Sequence, residues 1–588
     1  MEPNNEPTSS DNEPSTSNKD PLDILLQSME FLEQYADSVV SYSSRYNSTY
    51  SFSYSPDNLT GKARKYPQYG DFADTFMLRT YGKWWRESEA IQPNYMPQDS
   101  WEIESEDFVV VKYEFPVVPT KVIIYETYNP GAVVRLYGRL TGCDWHLLYE
   151  TYPERPETIP KNAARCFTPP LRRIKKIINE LRIELNQSLL TNCTGLDAVL
   201  LAGYRPLSKI QLYLLTDGLE KTPGPNLKSK QSCTDLSMAE GQVNYFEMLP
   251  YEIILHIFKF LDLKSLFRCA IVNQMFYQVT LDPTIYKALA LKKYWMKVDN
   301  KTLKFFQRRC TMLKKIDLSW CGNNCMITED FFQDFLRTSG TQLTHLSVGS
   351  CDFIRNVSLG AMAKCPHLVD LRLNNCQPSS WTFTLLSELQ KLQSLDLCGT
   401  NICSDSLIKI LKANPHLRHL IIDHCQNLSQ VDDIFETLSN YNPKLVALSA
   451  WKVRTATPRG IQFLSRCHQL RELDVGWVLV LAETSNCLER IAHGCKDLRR
   501  LIISNWRNLT DHELLPIITT CKNLHQLDLL GIRNISPELV GYALASLPHL
   551  KLLDISFCSK ITMDEVMLWS RLYPMVIILR HLDDGFIY

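Results

Sequence analysis

The stretch whose reading decides the fold runs from Phe246 to Leu261, FEMLPYEIILHIFKFL. Leu249-Pro250 opens a helix there, because Pro fits the first helical turn, where its missing N–H is not needed. Ile253, Ile254, Ile257, Phe258 and Leu261 then recur at three- and four-residue spacing, an apolar stripe on a short helix. A second short helix over 263–273 and a third around Phe276 and Leu281 follow, each too short to be stable alone. In isolation this is an ordinary helical hairpin. Its place just upstream of a repeat array gives it another meaning.

After Cys310 one pattern, Leu-x-x-Leu-x-Leu-x-x-Cys, recurs to the end of the chain. Its first leucines are Leu313, Leu343, Leu368, Leu392, Leu417, Leu445, Leu470, Leu498, Leu524 and Leu550, spaced 24 to 30 residues apart. That is the period of a leucine-rich repeat, in which each unit is one strand plus one helix and needs its neighbours to bury its apolar face. YPMVIILRHL (573–582) reads as a terminal capping strand. The recurrent Cys sits in the turn after each strand, where a small side chain with a weak donor suits a buried column. Thr400, Val453, Val478, Trp506 and Ile532 replace it elsewhere, so the position wants filling, not ligation. No Cys-x-x-Cys pair occurs, and no metal or other cofactor is expected.

The run LPYEIILHIFKFLDLKSLFRCAIVNQMFYQVTLDPTIY resembles the F-box, the helical module that clips a protein onto a ubiquitin-ligase scaffold. Leu249, Pro250, Glu252, Ile257, Phe258, Leu261, Leu266, Val272 and Leu281 fall on its consensus. Phe276 stands where Trp is usual and Asn273 where Cys is common. The Cys-bearing repeat is the subtype typical of F-box partners, so the chain is similar to the F-box and leucine-rich repeat family. The resemblance implies an adaptor face made of Leu249, Pro250, Ile253, Ile257, Phe258 and Leu261, with Leu266 and Phe276 in support. It also implies a cullin scaffold reached through that adaptor. A final helix near Ile285 to Trp295 is expected to close the module.

Upstream, residues 1–20 read as a disordered tail and 21–60 as a helix and lead-in, the helix carried by the spacing of Leu22, Leu25, Leu26, Met29, Leu32, Tyr35 and Val39. Between 61 and 216 come short β-rich runs such as DFVVVKYEF, TKVIIYETY, AVVRLYGRL and LDAVLLAGY, punctuated by turn signals such as Asn129-Pro130-Gly131. Many short alternating strands indicate an antiparallel sandwich, and ETYNPGAVVRLYGR, LRIELNQS and GLDAVLLAGY together look like a discoidin-type, galactose-binding-like jelly roll. Trp84, Trp85 and Trp101 near its start are expected in the core, with a ligand rim as the alternative. Residues 217–243 form a linker by their Pro, Gly, Ser and charge content. The expected fold is therefore multidomain: an all-β jelly roll, a small all-α F-box over 244–295, and an α/β leucine-rich repeat solenoid over 296–588.

Composition excludes several function classes. A net charge of −1 gives no pull toward nucleic acid or anionic lipid. No run of apolar residues is long enough for a transmembrane helix. The start, MEPNNEPTSSDNEPSTSNKD, has neither a signal peptide's basic and apolar regions nor a presequence's Arg-rich character. Nineteen Cys without a secretory signal argue for reduced thiols. No phosphate loop, nucleophile elbow, zinc-protease helix or RING pattern is present, so no catalytic residue is assigned. The reading is a non-catalytic substrate receptor of an SCF-type ubiquitin ligase, acting by proximity. The resemblance puts mitophagy receptors among its targets. The cytoplasm is the expected compartment; the mitochondrial outer surface and the nucleus are compatible with it. The rival is a non-ligase, lectin-like repeat protein, which would need a signal peptide and paired Cys flanking the repeats.

In each Leu-x-x-Leu-x-Leu line the leucines point inward, so strand alternation turns the residues between them to the concave side. Asp317, Asp396, Asp474, Asp528 and Asp554 recur there, with Trp320, Trp451 and Trp477 on or beside the same face. These eight residues are the expected target surface, for a segment carrying basic and apolar side chains; the jelly roll is the alternative place. The plain alternative is that Asp is common there because it is solvated.

Overall fold

The structure is a computed structural model. It describes residues 25–46, 53–79, 82–91, 96, 103–159, 162–208, 211, 215, 245–322, 325–454, 456–478 and 486–581. The predicted tail (1–20), the linker (217–243) and Trp101 lie outside the described residues.

The N-terminal unit is all-β and antiparallel. Its strands are β1 (Glu30–Tyr35), β2 (Ser38–Tyr42), β3 (Phe76–Met77), β4 (Asp107–Tyr128), β5 (Val133–Arg139), β6 (His146–Glu150), β7 (Arg165–Phe167), β8 (Ile178–Leu185) and β9 (Gly195–Arg205). The long β4 is shared: its first part pairs with β2 and β8, its last part with β9 and β7. Register shifts fall beside Pro116 and Pro119, where bulges accommodate residues that cannot donate to a ladder. Val109, Val111, Val122, Ile124, Val133, Leu181, Ile183 and Leu201 fill one core drawn from both parts.

Over the described residues 25–40 the predicted helix is not there. The chain makes one short turn at 25–27 and then runs as β1 and β2. β1 is captured along its whole length by β9, from Glu30 opposite Arg205 to Tyr35 opposite Leu200. An unpaired sheet edge offers backbone partners that a marginal helix cannot match, so tertiary context overrides the apolar spacing. The residues of the predicted stripe are still used: Leu25, Leu26 and Met29 pack with Val118, Ile177 and Leu215.

Three short helices follow: α1 (Tyr251–Phe258), α2 (Leu263–Cys269) and α3 (Gln274–Thr280). Asp262 caps α2 by accepting from the Ser265 N–H at 2.9 Å, and Asn273 caps α3 through the Phe276 N–H at 2.8 Å. Asn273 thus has a structural reason to stand where Cys is common. The predicted closing helix is replaced by two 3₁₀ turns flanking β10 (Ala288–Ala290). β10 pairs in parallel with Lys315–Asp317, so the repeat sheet begins inside the predicted F-box segment. The short Ala-Leu-Ala run was too brief to register as a repeat line.

From β10 to Ile577–Leu579, twelve parallel strands form one continuous sheet with a helix or 3₁₀ segment after most strands. The residue before each Cys-type position is left-handed: Trp320, Ser350, Asn375, Gly399, His424, Lys452, Trp477, Asn505, Gly531 and Phe557 all have positive φ. Each donates its N–H to the carbonyl at the equivalent turn of the next repeat, as Trp320 does to Gly349 and His424 to Trp451. The Cys column bonds the other way. Cys351 donates to the Leu318 carbonyl at 3.1 Å, Cys376 to Val348 at 3.2 Å and Cys425 to Leu397 at 3.0 Å. Trp506 keeps the contact with its indole Nε1–H, donating to Val475 at 3.0 Å.

Burial pushes the thiols of Cys376, Cys425 and Cys558 up to about 12. Alkylation of the native chain should therefore mark the exposed Cys143, Cys166 and Cys325 and spare Cys351, Cys376, Cys425 and Cys558 until denaturant is added. Mass spectrometry of the labelled peptides reads this; native labelling of Cys425 would contradict the ladder.

Candidate adaptor face and the seam between the domains

The F-box helices divide their apolar residues between two sides. Ile254, Phe258, Leu263, Leu266, Phe276 and Val279 are buried and hold the module together, with Phe258 edge-on to Phe276 at 5.1 Å. Leu249, Ile253 and Ile257 are 38%, 47% and 39% exposed, and Pro250 is exposed beside them. Leu261 is half-buried. The eight residues predicted for the adaptor thus fall into a solvent-facing group (Leu249, Pro250, Ile253, Ile257) and a scaffolding group (Phe258, Leu266, Phe276), with Leu261 between. Met248, Phe260, Ile271 and Val272 are also exposed, apolar and on the same three-helix module, and the consensus reading passed over all but Val272. So many exposed apolar side chains on one small module mark an interaction surface.

The predicted target surface is placed differently. Each of its five acids first serves its own turn: Asp317, Asp396, Asp474, Asp528 and Asp554 accept the backbone N–H two residues on, from Ser319, Cys398, Gly476, Leu530 and Ser556. That Asx geometry explains why Asp recurs at the position. Most of the face is then covered by the chain's own N-terminal unit. Arg79, 3% exposed, reaches Asp474 at 2.5 Å and Asp423 at 3.2 Å, and its guanidinium lies 4.2 Å from the Trp451 ring centroid. Trp451 is buried, edge-on to Tyr46 at 4.8 Å. Trp477 stands 6.4 Å from the same Tyr46 ring. Trp320 is buried against Phe108 at 5.1 Å, and Arg182 is sandwiched near Phe108 (3.5 Å) and Trp295 (3.9 Å).

Backbone is gripped as well. The left-handed Asn375, His424 and Lys452 donate to or share hydrogen bonds with the carbonyls of Ser43, Arg45 and Tyr46, and Arg500 donates to the Trp84 carbonyl. Ser88 and the Glu89 N–H both bind Glu472, and Arg471 pairs with Glu89 at 3.0 Å. Trp84 is buried, consistent with a core role, and Trp85 lies 4.9 Å from the Arg79 guanidinium.

The expectation that all eight residues form one target surface is therefore corrected. Asp474, Trp451 and Trp477 are taken by Arg79 and Tyr46, and Trp320 by Phe108 and Arg182, while Asp528 and Asp554 face the N-terminal unit across a gap. A small enclosed space of about 40 Å³ remains at Asp528 and Asp554, shared with Tyr46, Tyr54 and Asp71. Burial pushes Asp71 and Asp528 up to about 7. Arg79 carries this seam, and nothing local in TFMLRTYG announces it: its partners lie hundreds of residues away. Among the described residues no three Asp, Glu, His or Cys side chains stand where they could hold a metal ion. None of the described helices is long and apolar enough to cross a membrane.

An F-box-like family model matches residues 246–292. Over 567 residues the chain is 33% identical to bovine (Bos taurus) F-box/LRR-repeat protein 4, covering 93% of this chain and 91% of that protein. The chain belongs to the F-box/LRR-repeat protein 4 family. Other similarities are partial. BTB/POZ domain-containing protein FBL11 of Arabidopsis thaliana is 26% identical over 167 residues, 28% of this chain and 16% of that protein. A chain of the yeast Rad7–Elc1 complex covers 50% of this chain and 83% of its own length at 18% identity, with a TM-score of 0.35. In this F-box/LRR-repeat chain the match of 246–292 spans α1 to α3 and includes β10, so the family module itself overlaps the first strand of the repeat sheet.

Proposed function

We propose that this protein is the substrate receptor of an SCF-type ubiquitin ligase, docking an F-box-binding adaptor, and through it a cullin, with α1. The observation that carries the reading is the exposed apolar row Leu249, Ile253 and Ile257 on a helix whose opposite side is buried by Ile254 and Phe258. A soluble module leaves such a row bare when a partner covers it. Membership of the F-box/LRR-repeat protein 4 family supports the same partner. Catalysis by the chain itself is not part of this function: the repeat thiols are buried and held protonated, and transfer of ubiquitin is left to the recruited enzyme. The receptor's contribution is proximity, which raises the effective concentration of a target's lysines near charged ubiquitin.

The N-terminal unit is read as a jelly roll of discoidin type that supports the repeats and shapes their concave side. Mitophagy receptors are candidate targets, and the mitochondrial outer surface a candidate location, on the family resemblance alone. Reconstitution tests the core of this reading: the full chain, adaptor and cullin should co-elute, and a protein held by the chain should receive ubiquitin only when all three are present. A chain that elutes apart from the adaptor would end it.

A further inference from the structure

Among the described residues, those of the N-terminal unit leave one part of the concave side uncovered. Over the first repeats, beside the F-box, a cleft of about 300 Å³ remains between the two domains. Its floor is a side-chain column from four neighbouring strands, β11 (Lys315–Asp317), β12 (His345–Ser347), β13 (Asp370–Arg372) and β14 (Ser394–Asp396). In register, Asp317 stands opposite Ser347, Ser347 opposite Arg372, and Arg372 opposite Asp396. Adjacent members are therefore about 4.8 Å apart, the spacing of paired strands.

The charged groups around this cleft are unevenly paired. Arg372 is committed to Asp370 through two contacts of 3.1 and 3.2 Å and also donates to the Ile91 carbonyl. Lys292 donates to the Ser105 carbonyl at 3.0 Å and lies over Trp320, and Arg86 pairs with Glu104 and Glu106. Asp317 and Asp396 have no such partner: each accepts the N–H of its own turn, at 2.8 and 2.9 Å, and no cationic group of the described residues stands within ion-pair distance. Burial pushes the Asp396 carboxyl up to about 6 even with Arg372 on the neighbouring strand, because that guanidinium is held by Asp370. The walls beside these acids are apolar and aromatic, from Ile91, Ile103, Trp85 and Trp320.

We propose that this cleft is where a target is read, and that it takes a basic side chain, Lys or Arg, flanked by an apolar residue in a linear segment of the target protein. The proposal rests on the receptor function above and narrows it to a ligand class. Its size admits one or two side chains, not a folded surface. Asp317 and Asp396 neutralise the incoming cation, the Trp rings pack its stem, and the paired Arg372 between them sets the spacing. Of the expected target surface, Asp474, Asp528, Asp554, Trp451 and Trp477 take no part, because they lie under the N-terminal unit and away from the cleft.

The test uses the full chain with its adaptor and a pair of fluorescent peptides on one Leu/Ala framework, carrying either Arg-Leu or Glu-Leu at the centre. The Arg peptide should bind saturably, more weakly as salt is raised, and the Glu peptide should not. Asp317→Asn with Asp396→Asn keeps each turn's acceptor and should weaken the Arg peptide roughly tenfold or more. Ser347→Arg, which fills the cleft and neutralises its floor, should abolish binding. Equal binding of the two peptides, no binding of either, or undiminished binding to the Asn pair would overturn the proposal. Adaptor co-elution is read in the same samples: its absence would refute the ligase reading, while the peptide preference judges the cleft by itself.

Discussion

Ile253→Asp combined with Ile257→Asp leaves the chain folded and separates it from the adaptor. Both residues face solvent in the chain alone, so charge placed there disturbs no core. On the proposed docking face the same positions are the dry centre of the contact, and truncation of such anchors costs about 2–4 kcal/mol, with a buried unpaired carboxylate adding to it. Adaptor affinity should fall at least about 30-fold, while the thermal unfolding curve and the far-UV spectrum stay as in the native chain. The contrast is Phe258→Ala. Phe258 is 2% exposed and packs on Phe276, so its loss should destabilise the module by about 3–5 kcal/mol and remove adaptor binding through unfolding. Full adaptor retention by the double Asp variant would move the docking face away from α1.

Arg79→Ala should release the N-terminal unit from the repeats. The guanidinium is the shared partner of Asp423 and Asp474, all three nearly dry, and it covers the Trp451 ring. Breaking a buried pair by removing one member costs about 3–5 kcal/mol, because the other charge stays buried without compensation. The observable is hydrogen exchange: amides of Glu472–Asp474 and of the segment around Ser43–Tyr46 should lose protection together, while those of α1 to α3 keep theirs. The effect also depends on pH, with a sign that follows from burial. Asp474 is already pushed up to about 7 by desolvation with Arg79 beside it. Without Arg79 only its protonated form tolerates the seam. The difference between variant and native should be small at about pH 5.5, where both carboxyls are protonated, and grow as the pH rises past about 7, because the native carboxyl ionises there beside Arg79 and the variant's only at a higher pH. A variant that loses equal stability at both values would show that the pair acts by packing alone.

The F-box and the repeats were legible in the sequence because their signals are local and repeated. Leu249-Pro250 with a three- and four-residue apolar stripe specifies a short capped helix wherever it stands. Ten leucine lines at near-constant spacing specify a stacked sheet, since each unit can bury its apolar side only on the next. Even the Cys column was readable, since its tolerance of Thr, Val, Ile and Trp showed that it fills space. Exposure on α1 was not readable. Ile253 and Ile254 are chemically alike and adjacent, yet one faces solvent and the other the core, and the helix phase against α3 decides between them.

The sequence by itself determined the order of the units, the strand-and-helix repeat, and the absence of any motif for metal or nucleotide chemistry. Tertiary structure alone decided that residues 30–42 are strands, because the open edge of β9 outbids a marginal helix. It alone decided where the solenoid starts, because Ala288–Ala290 becomes a strand only when Lys315–Asp317 is there to pair with it. It decided most of all the fate of the concave acids. Asp474 and Asp396 sit in identical local patterns, and no local rule separates them. One is bound by Arg79, the other is left facing a cleft, because charge is satisfied by whatever the fold brings near and not by what lies next in the chain.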